Sequence, residues 1–152
     1  MTENLKLIRI KLDHLARMRE YLAYSLSQVE SILRLKAWEG LTPDQHESLA
    51  AFRVRFSEFQ EHLGKTMRSV AIEEEQDVER FGAVLAFMER LRVIASVEQW
   101  KLIRELRNAV NHEYEDDAAR IAEFFELMTK ETPALFECFD RLKEHCTKEY
   151  GI

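Results

Sequence analysis

The chain predicts an all-α fold, an antiparallel bundle of about five helices. Three observations point there. Glycine and proline together number only six in 152 residues, so few positions favour turns over helix. Apolar residues recur at spacings of three and four through nearly the whole chain, the repeat of one helix face. No segment alternates apolar and polar residues as a half-buried strand would.

Each element has its own signal. From about Glu3 to Lys36 the positions Leu5, Ile8, Leu12, Leu15, Met18, Leu22, Leu26, Val29 and Leu33 predict one long amphipathic helix, or two in line. Gly40 ends it. Thr42-Pro43 restarts a helix with a capping hydroxyl and a proline whose φ suits the first turn. Its stripe is Leu49, Phe52, Phe56, Phe59, Leu63, Met67 and Val70, and Gly64 within it marks a kink or the close approach of a neighbouring backbone. Glu73 to Asp77 reads as a solvated acidic connector, because the run offers no histidine to complete a metal site. A third helix is predicted through Val78, Phe81, Leu85, Met88 and Leu91. Ser96 and Gln99 have capping-box spacing, so a fourth helix starts there and runs through Trp100 to roughly His112. Ile121, Phe124, Phe125, Met128, Leu135, Phe139 and Leu142 mark the last helix, expected to bend at Pro133, with Thr147 to Ile152 expected to fray.

Composition limits the function classes. A single domain over 1–152 is large enough to build a core without disulfides or metals. The thiols of Cys138 and Cys146, eight residues apart on one predicted helix, are too far apart to pair and read as reduced. No metal is expected: none of His14, His46, His62, His112 and His145 follows a glutamate by three, and no zinc spacing occurs. Phosphate-binding glycine loops are absent, so no cofactor is expected. No apolar run approaches membrane-span length and Thr2-Glu-Asn-Leu-Lys6 is no targeting leader, so no membrane association and a cytoplasmic location are expected.

One window stands apart. Arg107-Asn108-Ala109-Val110-Asn111-His112-Glu113-Tyr114 packs arginine, two asparagines, histidine and tyrosine into eight residues, with Glu115-Asp116-Asp117 behind it. Trp100, Ile103, Val110 and Tyr114 keep the spacing of a buried stripe, and Arg107 falls in step with it. An arginine at a stripe's edge, with its stem packed and its head in water, is the ordinary alternative. Asn108 and His112, four apart, share a face. Arg107 and His112, five apart, sit about 140° around a regular helix. Either the arginine curls around, or a second copy of the helix completes the site.

Arg-Asn-x-x-x-His-x-Tyr near the end of a helix in a small all-helical chain resembles the HEPN superfamily, and most closely the HepT-like toxins that partner minimal nucleotidyltransferases. The likeness extends through Trp100 to Leu106 and through Arg55 to Gln60 with Leu63-Gly64. It implies a homodimer and a ribonuclease whose essential pair is Arg107 and His112, with Asn108, Asn111 and Tyr114 in support. It also implies that a cognate nucleotidyltransferase antitoxin silences the toxin by attaching AMP to Tyr114.

The residues suit that chemistry. A neutral imidazole at His112 can take the proton of a ribose 2′-OH, which attacks the neighbouring phosphate and leaves a 2′,3′-cyclic phosphate. Arg107 would clamp the non-bridging oxygens as charge builds. A lone histidine near a helix C-terminus is otherwise simply well placed against the helix dipole. The net charge of −6 opposes general nucleic-acid affinity, and no DNA partner is expected. An RNA cleft would need a local cluster such as Arg104 and Arg107 with Arg53, Arg55 or Arg68. The rival class is a non-catalytic HEPN protein that binds a nucleotide or docks on a nucleotidyltransferase. Helices of about thirty residues also suggest that some apolar surface meets another protomer.

Overall fold

The computed structural model describes residues 1–35, 38–108 and 117–152, and all its regular elements are helices: α1 (Glu3–Leu33), α2 (Pro43–Glu73), α3 (Phe81–Arg90), α4 (Val97–Asn108) and α5 (Ala118–Tyr150). The starts of α1, α2 and α5 are set by side chains that accept otherwise unpaired backbone N–H groups. Thr2 Oγ1 accepts from Leu5 N at 3.0 Å. Thr42 forms a complete capping box, its hydroxyl accepting from Gln45 N while Gln45 Oε1 accepts from Thr42 N, with Pro43 in the first turn. Asp117 caps α5 by accepting from Ala119 N and Arg120 N.

Pair contacts fix the directions. Asn4 reaches Ser69 and Glu73, and Arg55 lies over the Tyr21 ring, so α1 and α2 are antiparallel. Phe52 meets Phe125, Phe59 meets Phe136 and Phe139, and His145 meets Glu74, so α5 runs parallel to α2 and against α1. Arg19 of α1 ties to Asp140 and lies over Phe136 of α5. The core is the predicted stripes brought together: Ile8, Leu15, Leu22, Phe52, Phe56, Phe59, Leu63, Met67, Leu135 and Leu142 are fully buried. No helix among the described residues is long and apolar enough to cross a membrane.

The structure departs from expectation in four places. The first helix ends at Leu33, while Lys36, its expected limit, lies outside the described residues. The third starts at Phe81, not Val78: Glu75 takes a left-handed φ of 57° and Asp77 Oδ1 accepts from Glu79 N, which turns the chain while Val78 still packs on the core. At Gly64 no backbone approaches. A Cβ there would lie 3.3 Å from Phe81 Cζ and 3.6 Å from Trp100 Cζ2, so two aromatic rings occupy the space. The C-terminal tail does not fray, because α5 continues to Tyr150, Gly151 closes it at φ 72°, and Thr147 Oγ1 donates to Ile152 O. The predicted stripe of α1 packs within the chain, while Leu7, Ile10, Tyr21 and Tyr24 leave apolar surface exposed off that stripe.

Candidate functional site

The candidate site begins on α4. Ser96 Oγ accepts from Gln99 N at 3.0 Å, the hydroxyl half of the predicted box, and Glu89 Oε2 accepts from Val97 N at 2.7 Å, anchoring the helix start to α3. Trp100, Ile103 and Leu106 are its buried side chains. Trp100 is 3% exposed and wedges against Gly64, where the absent side chain lets an indole approach α2. Trp100 and Ile103 also line a shallow crevice with Leu135, Cys138, Ser96 and Arg141. Arg141 Nη1 donates to Arg92 O just ahead of α4, so the helix starts beside the middle of α5. The short stretch from Asn108 to Ala118 can reach the start of α5 only if α4 runs against α5, hence against α2 as well.

Arg107 comes two turns after Trp100 on nearly the same face and is half-buried, as its step in the stripe predicts. It has no ion pair or hydrogen bond among the described residues. A half-buried guanidinium has lost part of its hydration and retains its donors, the condition of a cation ready for an anion. Asn108 is exposed at the end of the described helix. Asn111, His112 and Tyr114, with Glu115 and Asp116, lie outside the described residues.

The proposed arginine cluster is only partly assembled. Arg104 is exposed on α4 beside half-buried Arg107. Arg55 does not join them: it stacks at 4.9 Å over Tyr21, on the α1 side of α2. Arg53 lies a heptad before Gln60 and so shares its side of α2, while Arg68 is exposed.

Periodicity of apolar residues alone overlooked Gln60. It is 3% exposed on α2 and its Oε1 has no hydrogen-bond partner among the described residues; Trp100 Nε1 is likewise buried and without a described partner. A heptad step back from Met67 would have flagged the glutamine, since that step lands on the buried face.

Burial shifts the ionisation of several groups on α5. Burial, slightly opposed by Arg141, pushes the Cys138 thiol up to about 12. Burial and then the Glu74 carboxylate push Cys146 to about 12. Both are free and buried, as expected of reduced thiols. At the far end of α2, the Glu74 carboxylate oxygens lie 3.1 and 3.2 Å from His145 Nε2. Burial first and Glu74 second raise Tyr150 there. Among the described residues no three or more His, Cys, Asp or Glu side chains are grouped to hold a metal ion. No family model, no curated protein and no solved structure matches the chain.

Proposed function

We propose that the chain is a metal-independent endoribonuclease of the HEPN type, acting in the cytoplasm as the toxin of a pair whose antitoxin is a minimal nucleotidyltransferase. The observation that carries this reading is Arg107: a cation in step with Trp100 and Ile103, half-buried, with no described counter-ion. Beside it in sequence stand Asn108, Asn111, His112 and Tyr114. In the proposed reaction His112 takes the 2′-OH proton and the 2′-oxygen bonds to phosphorus. The P–O5′ bond breaks and the 5′-oxygen picks up a proton, leaving a 2′,3′-cyclic phosphate and a 5′-OH. Arg107 holds the non-bridging oxygens, with Asn108 and Asn111 in support.

Purified protein should therefore cleave RNA in EDTA, yield cyclic-phosphate ends, and lose activity in His112→Ala. A strict divalent-metal requirement, or full activity in that variant, overturns the proposal. Arg107→Lys should be poor as well, because an ammonium cannot reproduce a planar two-point contact.

Because Arg107 and His112 diverge on a regular helix, the reading includes a homodimer with the motif helices near its axis. Combining an Arg107→Ala chain with a His112→Ala chain should restore cleavage if the site is shared. The same reading makes Tyr114 the AMP acceptor: its phosphodiester would occupy the Arg107 clamp and its adenosine the RNA path. Intact mass after incubation with the cognate partner and ATP should show AMP on the wild type and none on Tyr114→Phe.

A second reading, a non-catalytic helical protein that binds a nucleotide or docks on a nucleotidyltransferase, draws support from the net charge of −6. It expects nucleotide or partner binding without any RNA cleavage.

A further inference from the structure

Near Gly64, where Trp100 meets α2, the buried positions of α2 are almost all apolar. Phe56, Leu63 and Met67 are fully buried, and Gln60, one turn from Gly64, keeps a buried amide oxygen without a donor among the described residues. A methionine of similar length would fill the same space without that penalty. The exception coincides in position with the motif helix.

Trp100 meets α2 at Gly64, and because α4 runs against α5 while α5 is parallel to α2, α4 runs opposite to α2. Gln60 lies one turn from Gly64, about 6 Å along α2, in the direction in which α4 descends. Arg107 lies two turns from Trp100, about 10 Å along α4, and only about 20° from the Trp100 azimuth. The axial offset between them is therefore about 4 Å, which the long arginine stem spans. They are not bonded to each other in the structure, so the contact needs a swing of the Arg107 side chain.

We propose that Gln60 is a positioning residue for Arg107: its Oε1 accepts from the guanidinium Nε–H and aims the two Nη groups at a phosphate. This rests on the ribonuclease reading and deepens it. A guanidinium has five donors, so giving one to Gln60 leaves the terminal fork free for two non-bridging oxygens. An amide also suits the role better than a carboxylate. It orients the cation without neutralising the charge that the phosphate needs.

The test uses the full chain and its Gln60→Met variant, with three readouts. Cleavage of a single-stranded RNA should fall at least tenfold in kcat, with a smaller change in KM, because a misaimed clamp fails most where transition-state charge develops. Melting temperature should rise, since an unsatisfied buried acceptor is gone. With inorganic phosphate present, the Arg107 Nε–H resonance, assigned by its loss in Arg107→Lys, should be protected from solvent exchange in the wild type and exchange at least tenfold faster in Gln60→Met. Unchanged kcat alongside active wild type overturns the inference, as does an Arg107 Nε–H whose exchange ignores the substitution. Absence of any cleavage by the wild type overturns the ribonuclease reading instead, and the exchange measurement still decides whether Gln60 holds Arg107.

Discussion

The two flanks of α2 treat polar groups differently. Toward α1 they are matched: Asn4 Nδ2 donates to Ser69 O at 3.0 Å and to Glu73 Oε2 at 2.9 Å, and Lys11 Nζ donates to Ser69 Oγ at 2.9 Å. Toward α4, the Gln60 oxygen and Trp100 Nε1 are buried without partners. A matched flank contributes stability and specificity, whereas an unmatched one costs stability that packing elsewhere must offset. The difference separates a scaffold side from a side on which a site can be built.

That contrast can be broken at its strongest point first. Phe56 is fully buried in the common core. Phe56→Ala should cost about 3–5 kcal/mol in chemical denaturation, through lost burial and a cavity. A loss below about 1 kcal/mol would mean that the core repacks and that the scaffold assignment is wrong. Next is Gly64→Val, which pushes branched methyls into the rings of Phe81 and Trp100 and should cost about 1–3 kcal/mol. Trp100 emission should shift as the indole moves, and RNA cleavage should fall with it. Unchanged emission would argue that α4 does not lean on that glycine.

On the matched flank, Asn4→Ala should cost about 1 kcal/mol by loss of its two hydrogen bonds, and leave cleavage unchanged. A drop in cleavage larger than the drop in folded fraction would erase the distinction between the flanks. The smallest effect at ordinary pH comes from the thiols. Both are raised to about 12 from a usual value near 9, so the unfolded chain ionises first. Their contribution is intact below pH 9 and is lost as pH rises toward 12, with a limiting slope for Cys138 of about 1.4 kcal/mol per pH unit. Cys138→Ala should flatten the alkaline limb of a stability-versus-pH curve. An unaltered limb would mean that this thiol ionises as readily folded as unfolded.

Much of the fold was legible because burial in a bundle repeats with the helix. The stripes of α1, α2 and α5 became the core, and Thr42 and Ser96 cap where their spacing indicated. What escaped depended on local turn chemistry or on partners distant in sequence. Val78 satisfies the stripe rule yet precedes its helix, because Glu75 and Asp77 turn the chain first. Gly64 answers to rings on two other elements, Arg55 is drawn away by Tyr21, and the tail is held by its own cap. At the site, the stripe anticipated the half-burial of Arg107, but a count of apolar residues is blind to Gln60. Asn111, His112 and Tyr114 lie outside the described residues.

The parallel course of α2 and α5 also bears on the order in which the chain assembles. Phe52 meets Phe125 and Phe59 meets Phe136, pairs separated by more than seventy residues, whereas α1 and α2 follow each other directly. Closing so long a loop is entropically slower than folding a hairpin, so α5 should dock after α1 and α2 have paired. Helix α4 is packed between α2 and α5, and during synthesis it emerges while its second wall is still unmade. The helix that carries Arg107 then gains its full packing only when the last helix arrives. If the proposed ribonuclease reading holds, a nascent chain carrying the motif but not yet α5 should therefore spare the RNA around the ribosome that makes it.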